Sequence, residues 1–251
     1  MFRVAVSLVS VALLASCASG PPRIPRAVID RALVGAPGEA QPGKIVAAEI
    51  AFSQAARDEG QWTAFRKFMA PGAVIHGVNG PIDAAAWLAT QKDPLAAVQW
   101  AASSVWMSCD GRLAVSRGRF RDPEGLVGTF VTVWQRQDDG AYRWIYDAGA
   151  ADDPQPGAQE VDDGAGIIVS ADDIIQGYVA DCPSPGSPLP LGPFWVMADT
   201  ARYASEVSPD KTLRWSWEHE ADGTRRVALD YLSEGKWERV PVQTFAPRTS
   251  E

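Results

Sequence analysis

The sequence predicts an α+β fold in which helices precede a sheet of long antiparallel strands. In residues 43–90, apolar residues recur every three or four positions, as they do on one face of a helix. From Val98 onward they alternate every second position, and Asp-Gly pairs separate the runs, as in hairpins. Helical segments followed by hairpins favour an α+β fold over a parallel-sheet fold.

Three helical segments and one short strand are expected before the hairpins. Gly43 to Glu59 predicts an amphipathic helix, with Glu49 placed largely off its apolar stripe. Trp62 to Met69 and Ile82 to Thr90 predict two shorter helices. Between them, Ala73 to His76 predicts a short strand that follows the helix-breaking Pro-Gly pair.

Four long alternating segments predict the main sheet, whose strands are joined by tight turns. They are Val98 to Met107, Arg112 to Arg121, Val127 to Gln137 and Tyr142 to Asp147.

The remaining chain predicts a linker over residues 154–166 and an accessory segment over residues 167–251. Ser170 and Asp173 suit a helix cap, whereas a strand ending near Cys182 is the alternative interpretation. Three alternating stretches then predict a small β-meander: Leu213 to His219, Arg225 to Tyr231 and Trp237 to Val242. A meander of this size is marginally stable alone, so we expect it to dock on the first domain or on a partner.

The amino terminus predicts export. An uncharged apolar run begins at Val4, is too short to span a bilayer permanently and ends in small residues, as in a secretory signal. Leu14-Ala15-Ser16-Cys17 resembles the lipobox of bacterial lipoproteins, which implies a signal peptide over residues 1–16 and a lipid-modified Cys17. An ordinary cleaved signal with an incidental cysteine is the alternative.

By the same resemblance, Ala18 after the cysteine favours a lipid-anchored protein of the outer membrane that faces the periplasm. Residues 17–42 are rich in proline and glycine, and predict a tether.

Charge and cysteine content limit the possible partners. The net charge of −8 repels phosphate backbones, so no nucleic-acid binding is expected. After processing, only Cys109 and Cys182 remain, and in an oxidising envelope they form either a disulfide or two unrelated buried thiols. Two histidines and no Cys-x-x-Cys pair leave no metal site to expect, and no motif indicates a cofactor.

Three motifs carry a family resemblance over roughly residues 43–150. They are Ala51-Phe52, the segment Met69 to Val74, and GTFVTVWQRQDDGAYRWIYDAG from Gly128 to Gly149. They resemble the NTF2-like superfamily, which includes SnoaL-like and DUF4440-type domains, and place such a domain at residues 43–153. The resemblance implies helices packed on a curved antiparallel sheet, a cone that can hold a small hydrophobic ligand, and a homodimer through the sheet face.

Two polar residues are candidates for catalysis in such a cone. The resemblance places His76 near the position of the carboxylate base in ketosteroid-isomerase-like enzymes, and a histidine suits general-base chemistry. Asp147, at the end of the last strand, would orient the imidazole ring of His76. The alternative makes His76 a hydrogen-bonded strand-end residue and Asp147 a structural turn residue.

Tryptophans are the candidates for ligand binding. Trp87, Trp100 and Trp134 are placed to line a pocket, although aromatic residues at helix and strand spacing usually belong to the core. In the meander, Trp215, Trp217 and Trp237 form either an exposed contact patch or a packing face against the first domain.

The leading functional hypothesis is a cell-envelope lipoprotein whose NTF2-like domain is a non-catalytic scaffold or a binder of a small hydrophobic ligand. One alternative is an isomerase, dehydratase or hydrolase that uses His76 and Asp147. A second is an interaction module that captures a partner protein through the C-terminal meander.

Overall fold

The structure, a computed structural model, describes residues 39–156, 175–184, 186, 188–190, 192 and 202–247. These residues form three layers: helices, a seven-stranded mixed sheet and a four-stranded sheet. The expected signal peptide, Cys17 and most of the tether and linker lie outside the described residues. None of the helices described is long and apolar enough to cross a membrane.

The three predicted helices are present with shifted ends. They are α1 (Pro42–Glu59), α2 (Gln61–Phe68) and α3 (Ala84–Leu88). Gly60 separates the first two helices. Its φ of 113° is a backbone conformation that residues with a side chain rarely adopt, which explains why a glycine stands at this position. The Asp93 carboxylate accepts hydrogen bonds from the first backbone amides of α2, and the Asp83 carboxylate caps α3.

The large sheet is mixed rather than wholly antiparallel. Its strands are β1 (Met69–Gly77), β2 (Gly80–Asp83), β3 (Gln99–Met107), β4 (Leu113–Arg121), β5 (Val127–Arg136), β6 (Tyr142–Ala151) and β7 (Gln176–Val179). In the order β2-β1-β6-β5-β4-β3-β7, β1 runs parallel to β6 and β7 parallel to β3. Strand β7 favours the strand interpretation of this segment over the helix, and β2 was not expected.

The C-terminal meander is a separate sheet with four strands instead of three. They are β8 (Tyr203–Val207), β9 (Leu213–His219), β10 (Arg225–Ser233) and β11 (Lys236–Phe245), in the order β11-β10-β9-β8. All neighbours are antiparallel. Strand β8 lacks a long alternating run, so the sequence pattern did not reveal it.

The large sheet is buried on both faces. Its inner face, which we define as the face toward α1–α3, packs around Phe52 of α1, whose side chain is 1% exposed. Its outer face packs Val115, Val131 and Val133 against apolar residues of the second sheet. Bulges in β3 and at the β5–β6 pair bend the strands, which makes the sheet curved. The structure therefore has the expected α+β arrangement of helices packed on a curved sheet.

The second sheet occupies the face at which a homodimer was expected. Trp215 and Trp217 are each 6% exposed and lie in the core between the two sheets. They therefore belong to a packing face and not to an exposed contact patch. Trp237 lies at the edge, where its indole N–H donates to the carbonyl of Pro190.

Cys109 and Cys182 form a disulfide between positions 73 residues apart. The bond joins the turn after β3 to the chain after β7. The backbone N–H of Cys109 also donates to the Thr212 hydroxyl, which ties this corner to the second sheet. Disulfides of this kind are typical of exported proteins.

Candidate functional site

A row of polar side chains crosses the inner face of the large sheet. Ser116 of β4 lies opposite Thr132 of β5, and Thr132 lies opposite Asp147 of β6. Residues opposite each other in neighbouring strands point to the same face and lie about 5 Å apart. The row therefore places a hydroxyl, a second hydroxyl and a carboxylate side by side beneath α1.

Glu49 of α1 reaches down to this row and is 2% exposed. Its Oε1 accepts hydrogen bonds from the Ser116 hydroxyl at 2.5 Å and the Trp134 indole at 3.0 Å. Its Oε2 accepts one from the Trp100 indole at 3.1 Å. Burial raises the pKa of Glu49, and these three donors oppose that rise. Both carboxylate oxygens are thus occupied, which suits a structural role.

Asp147 differs from Glu49 because one of its oxygens is available. Oδ2 accepts a hydrogen bond from the Thr132 hydroxyl at 2.8 Å, whereas Oδ1 accepts none from the part of the chain that the structure describes. Protein atoms surround the carboxylate, yet the residue keeps some solvent contact. Burial raises the pKa of Asp147 to about 7, and the nearby charge of Glu49 adds to the rise. A carboxyl group with this pKa exchanges protons near neutral pH.

Aromatic side chains surround the Glu49 carboxylate on the helix side. The ring of Phe52 has its centroid 4.8 Å from those of Phe65 and Trp100, in edge-to-face contacts. Trp134 and Trp144 are fully buried at the sheet surface below. The polar row thus lies in an apolar environment, which explains the direction of both pKa changes.

The structure does not bring His76 and Asp147 together. Ile75 lies opposite Asp147 on the inner face, so the next residue, His76, points to the outer face. There its Nδ1 is 2.8 Å from the Tyr146 hydroxyl, and its Nε2 is 3.0 Å from Nδ1 of His219. The prediction that Asp147 orients the His76 ring is therefore wrong, because the two side chains lie on opposite faces of the sheet.

His76 is also poorly suited to accept a proton. It is 1% exposed, and burial lowers its pKa to about 3, with the charge of Arg225 and His219 adding to the decrease. Both ring nitrogens already have partners. We conclude that His76 joins the two sheets as a neutral hydrogen-bonding group.

The three candidate tryptophans separate into two groups. Trp100 and Trp134 lie on the inner face beside the polar row, and their indole N–H groups donate hydrogen bonds to Glu49. Trp87 lies apart from that carboxylate, with its ring edge-to-face against Trp62 at 5.0 Å between centroids. The described residues contain no group of three or more His, Cys, Asp or Glu side chains arranged to hold a metal ion.

Glu49 is the site residue that sequence reasoning missed. It was placed largely off the apolar stripe because it is charged. Its spacing nevertheless carries the signal: it follows Ile45 by four residues and precedes Phe52 by three, and both are buried. A charged residue at a core-facing helix position needs buried hydrogen-bond donors, and Ser116, Trp100 and Trp134 supply them.

Comparison with solved structures shows distant structural similarity. No family model matches the chain. No curated protein matches it either. Among solved structures, it is similar to a protein from Shewanella frigidimarina NCIMB 400 described as a "putative ketosteroid isomerase". The two share 14% identity with a TM-score of 0.30, and the match covers 41% of this chain and 92% of that chain.

Asp147→Asn should make the protein more stable at pH 8. Since folding raises the pKa of Asp147 from 3.8 to about 7, its favourable contribution is complete below pH 3.8 and is lost as the pH rises toward 7. The asparagine amide carries no charge and still accepts the Thr132 hydrogen bond. We expect the free energy of unfolding, measured by urea unfolding, to increase by about 1–3 kcal/mol at pH 8, and this increase should become smaller toward pH 4.

The matched control is Asp139→Asn, because Asp139 is exposed in the β5–β6 turn and pairs with Arg143. It should give no gain at pH 8. A loss of stability in Asp147→Asn at pH 8 would contradict the raised pKa.

Proposed function

We propose that residues 43–153 form an NTF2-like cone that binds a small, mostly apolar molecule carrying one hydrogen-bond donor. The observation that carries the proposal is Asp147 Oδ1, an acceptor without a partner among the described residues, on the sheet face that also carries the aromatic inner core. A ligand pocket of this kind combines apolar walls with a few polar groups that fix orientation. A hydroxyl on the ligand would supply the missing partner of Asp147.

Binding without chemistry is favoured because the donors around the polar row are committed. The Ser116 hydroxyl and the Trp134 and Trp100 indoles all donate to Glu49. The Thr132 hydroxyl donates to Asp147 itself. A reaction that develops an oxyanion needs a donor aimed at that oxygen. These four groups would have to give up an existing bond to provide it.

2-Naphthol is a suitable probe, since it joins an apolar ring system to one hydroxyl. We expect it to shift the indole signals of Trp100 and Trp134 in 1H–15N NMR spectra at pH 8. Asp147→Asn should raise its dissociation constant at least tenfold, because the amide oxygen keeps the Thr132 hydrogen bond and the NH2 group, which only donates, replaces the acceptor that the ligand hydroxyl needs.

The control Asp139→Asn should leave the dissociation constant unchanged. An unchanged affinity in Asp147→Asn would overturn the proposal. Shifts confined to Trp215 and Trp217 of the outer core would do the same.

A second candidate function is proton transfer next to a carbonyl group. The observation that favours it is Asp147 itself, whose pKa of about 7 and unoccupied oxygen suit a general base at neutral pH. Asp147 would remove a C–H proton α to the carbonyl and return it to the γ carbon, so no other reactant is needed. This version of the enzyme hypothesis assigns no part to His76.

Isomerisation of cyclohex-3-enone to cyclohex-2-enone in D2O separates the two candidates. Because the donors are committed to Glu49, we expect the protein to leave the NMR-measured rate at that of buffer. An acceleration that Asp147→Asn abolishes and Asp139→Asn retains would contradict simple binding and establish the second candidate.

A further inference from the structure

A cleft lies between the large sheet and the C-terminal sheet, apart from the polar row on the inner face. Its volume is about 620 Å³, within the range of small-molecule pockets. Residues from both sheets line it, including Val78, Thr129, Gly149, Arg225, Gln243 and Phe245. We call it the Arg225 cleft.

Arg225 is the unusual feature of this cleft because it is a buried cation for which the described residues provide no anionic partner. Its side chain is 1% exposed. Nη1 donates to the carbonyl oxygen of His76 at 2.6 Å, and both terminal nitrogens lie 3.4–3.5 Å from the carbonyl oxygen of Gly149. Nε is buried and has no partner among the described residues. Every acceptor that these residues provide is neutral.

The surroundings of Arg225 offer little compensation for the charge. Phe245 presents its ring 4.8 Å from the guanidinium carbon, a cation–π contact that stabilises the cation but supplies no net negative charge. Two acidic residues line the cleft, but the Asp152 carboxylate is already engaged by Arg119. Asp153 is exposed to solvent, where its charge is screened. A buried charge that lacks an ionic partner is costly, so this arrangement favours an anion in the cleft.

The lining decides which anion fits. One guanidinium matches one carboxylate in charge and in planar geometry. A dianionic phosphate would keep excess negative charge beside Asp152 and Asp153. Val78, Phe245 and Pro247 give the cleft apolar surface next to the cation, which suits a carboxylate attached to a hydrocarbon body.

We propose that the Arg225 cleft binds a small organic monocarboxylate, whose carboxylate pairs with Arg225 and whose apolar part lies against Phe245. The site is separate from the cone and does not depend on the function proposed for Asp147.

The proposal can be tested by comparing the binding of benzoate and of its neutral counterpart benzamide to the full chain. Benzoate should shift the backbone amide signals of Thr244 and Phe245 in NMR spectra, and benzamide should bind at least tenfold more weakly. Arg225→Gln should weaken benzoate binding at least tenfold. Arg226→Gln is the matched control, since Arg226 is the next residue, exposed and paired with Glu220. It should leave binding unchanged.

Equal affinity of the native protein for benzoate and benzamide would overturn the proposal, and so would full benzoate affinity in folded Arg225→Gln. If Arg225→Gln does not fold, the ratio of benzoate to benzamide affinity in the native protein decides, together with the position of the shifted amides. Shifts at Trp100 instead of Phe245 would assign benzoate to the cone and contradict the cleft.

Discussion

Burial of the large sheet on both faces is the constraint on which the rest of the structure depends. Alternate residues of each strand point to opposite faces, so neighbours in sequence enter different layers. Tyr146 and Asp147 show the consequence: the first lies in the core between the sheets and the second faces the helices. The same alternation separates Ile75 from His76. One sheet therefore supports two distinct polar environments.

The inner environment contains one carboxylate that is fully hydrogen-bonded and one that is only partly hydrogen-bonded. Glu49 is buried but satisfied, because Ser116, Trp134 and Trp100 together occupy both of its oxygens. Asp147 has one satisfied oxygen and one that is available. Groups that are incompletely paired inside a protein reduce its stability, and they concentrate at binding and catalytic sites. This difference is why we propose a functional role for Asp147 and not for Glu49.

The C-terminal sheet completes the outer environment. Its tryptophans complete an apolar core that the large sheet cannot cover alone. Its Arg225 reaches across to the carbonyl of His76 in β1. A small sheet that was expected to dock on the first domain or on a partner thus supplies the third layer and one wall of the Arg225 cleft.

Local patterns predicted the helices and long strands well, because amphipathic spacing and Asp-Gly turns are local signals. The residues at 127–136 and 142–151 form the expected hairpin with only their ends changed. Contacts between segments that are distant in sequence were harder to predict. The register that sends His76 to the outer face depends on parallel pairing of β1 with β6, which spacing within either strand does not encode. The burial of Glu49 depends on donors that are 51 to 85 residues away.

The packing of the two sheets is tested most directly by the two histidines, which are the only ones in the chain. Nε2 of His76 lies 3.0 Å from Nδ1 of His219, across the junction of the sheets. NMR of 15N-labelled protein should show a nitrogen–nitrogen coupling across this hydrogen bond, and His76 should remain neutral from pH 7 to pH 5. Two uncoupled rings, with His76 protonating near pH 6.5, would contradict the three-layer arrangement and the separation of His76 from Asp147.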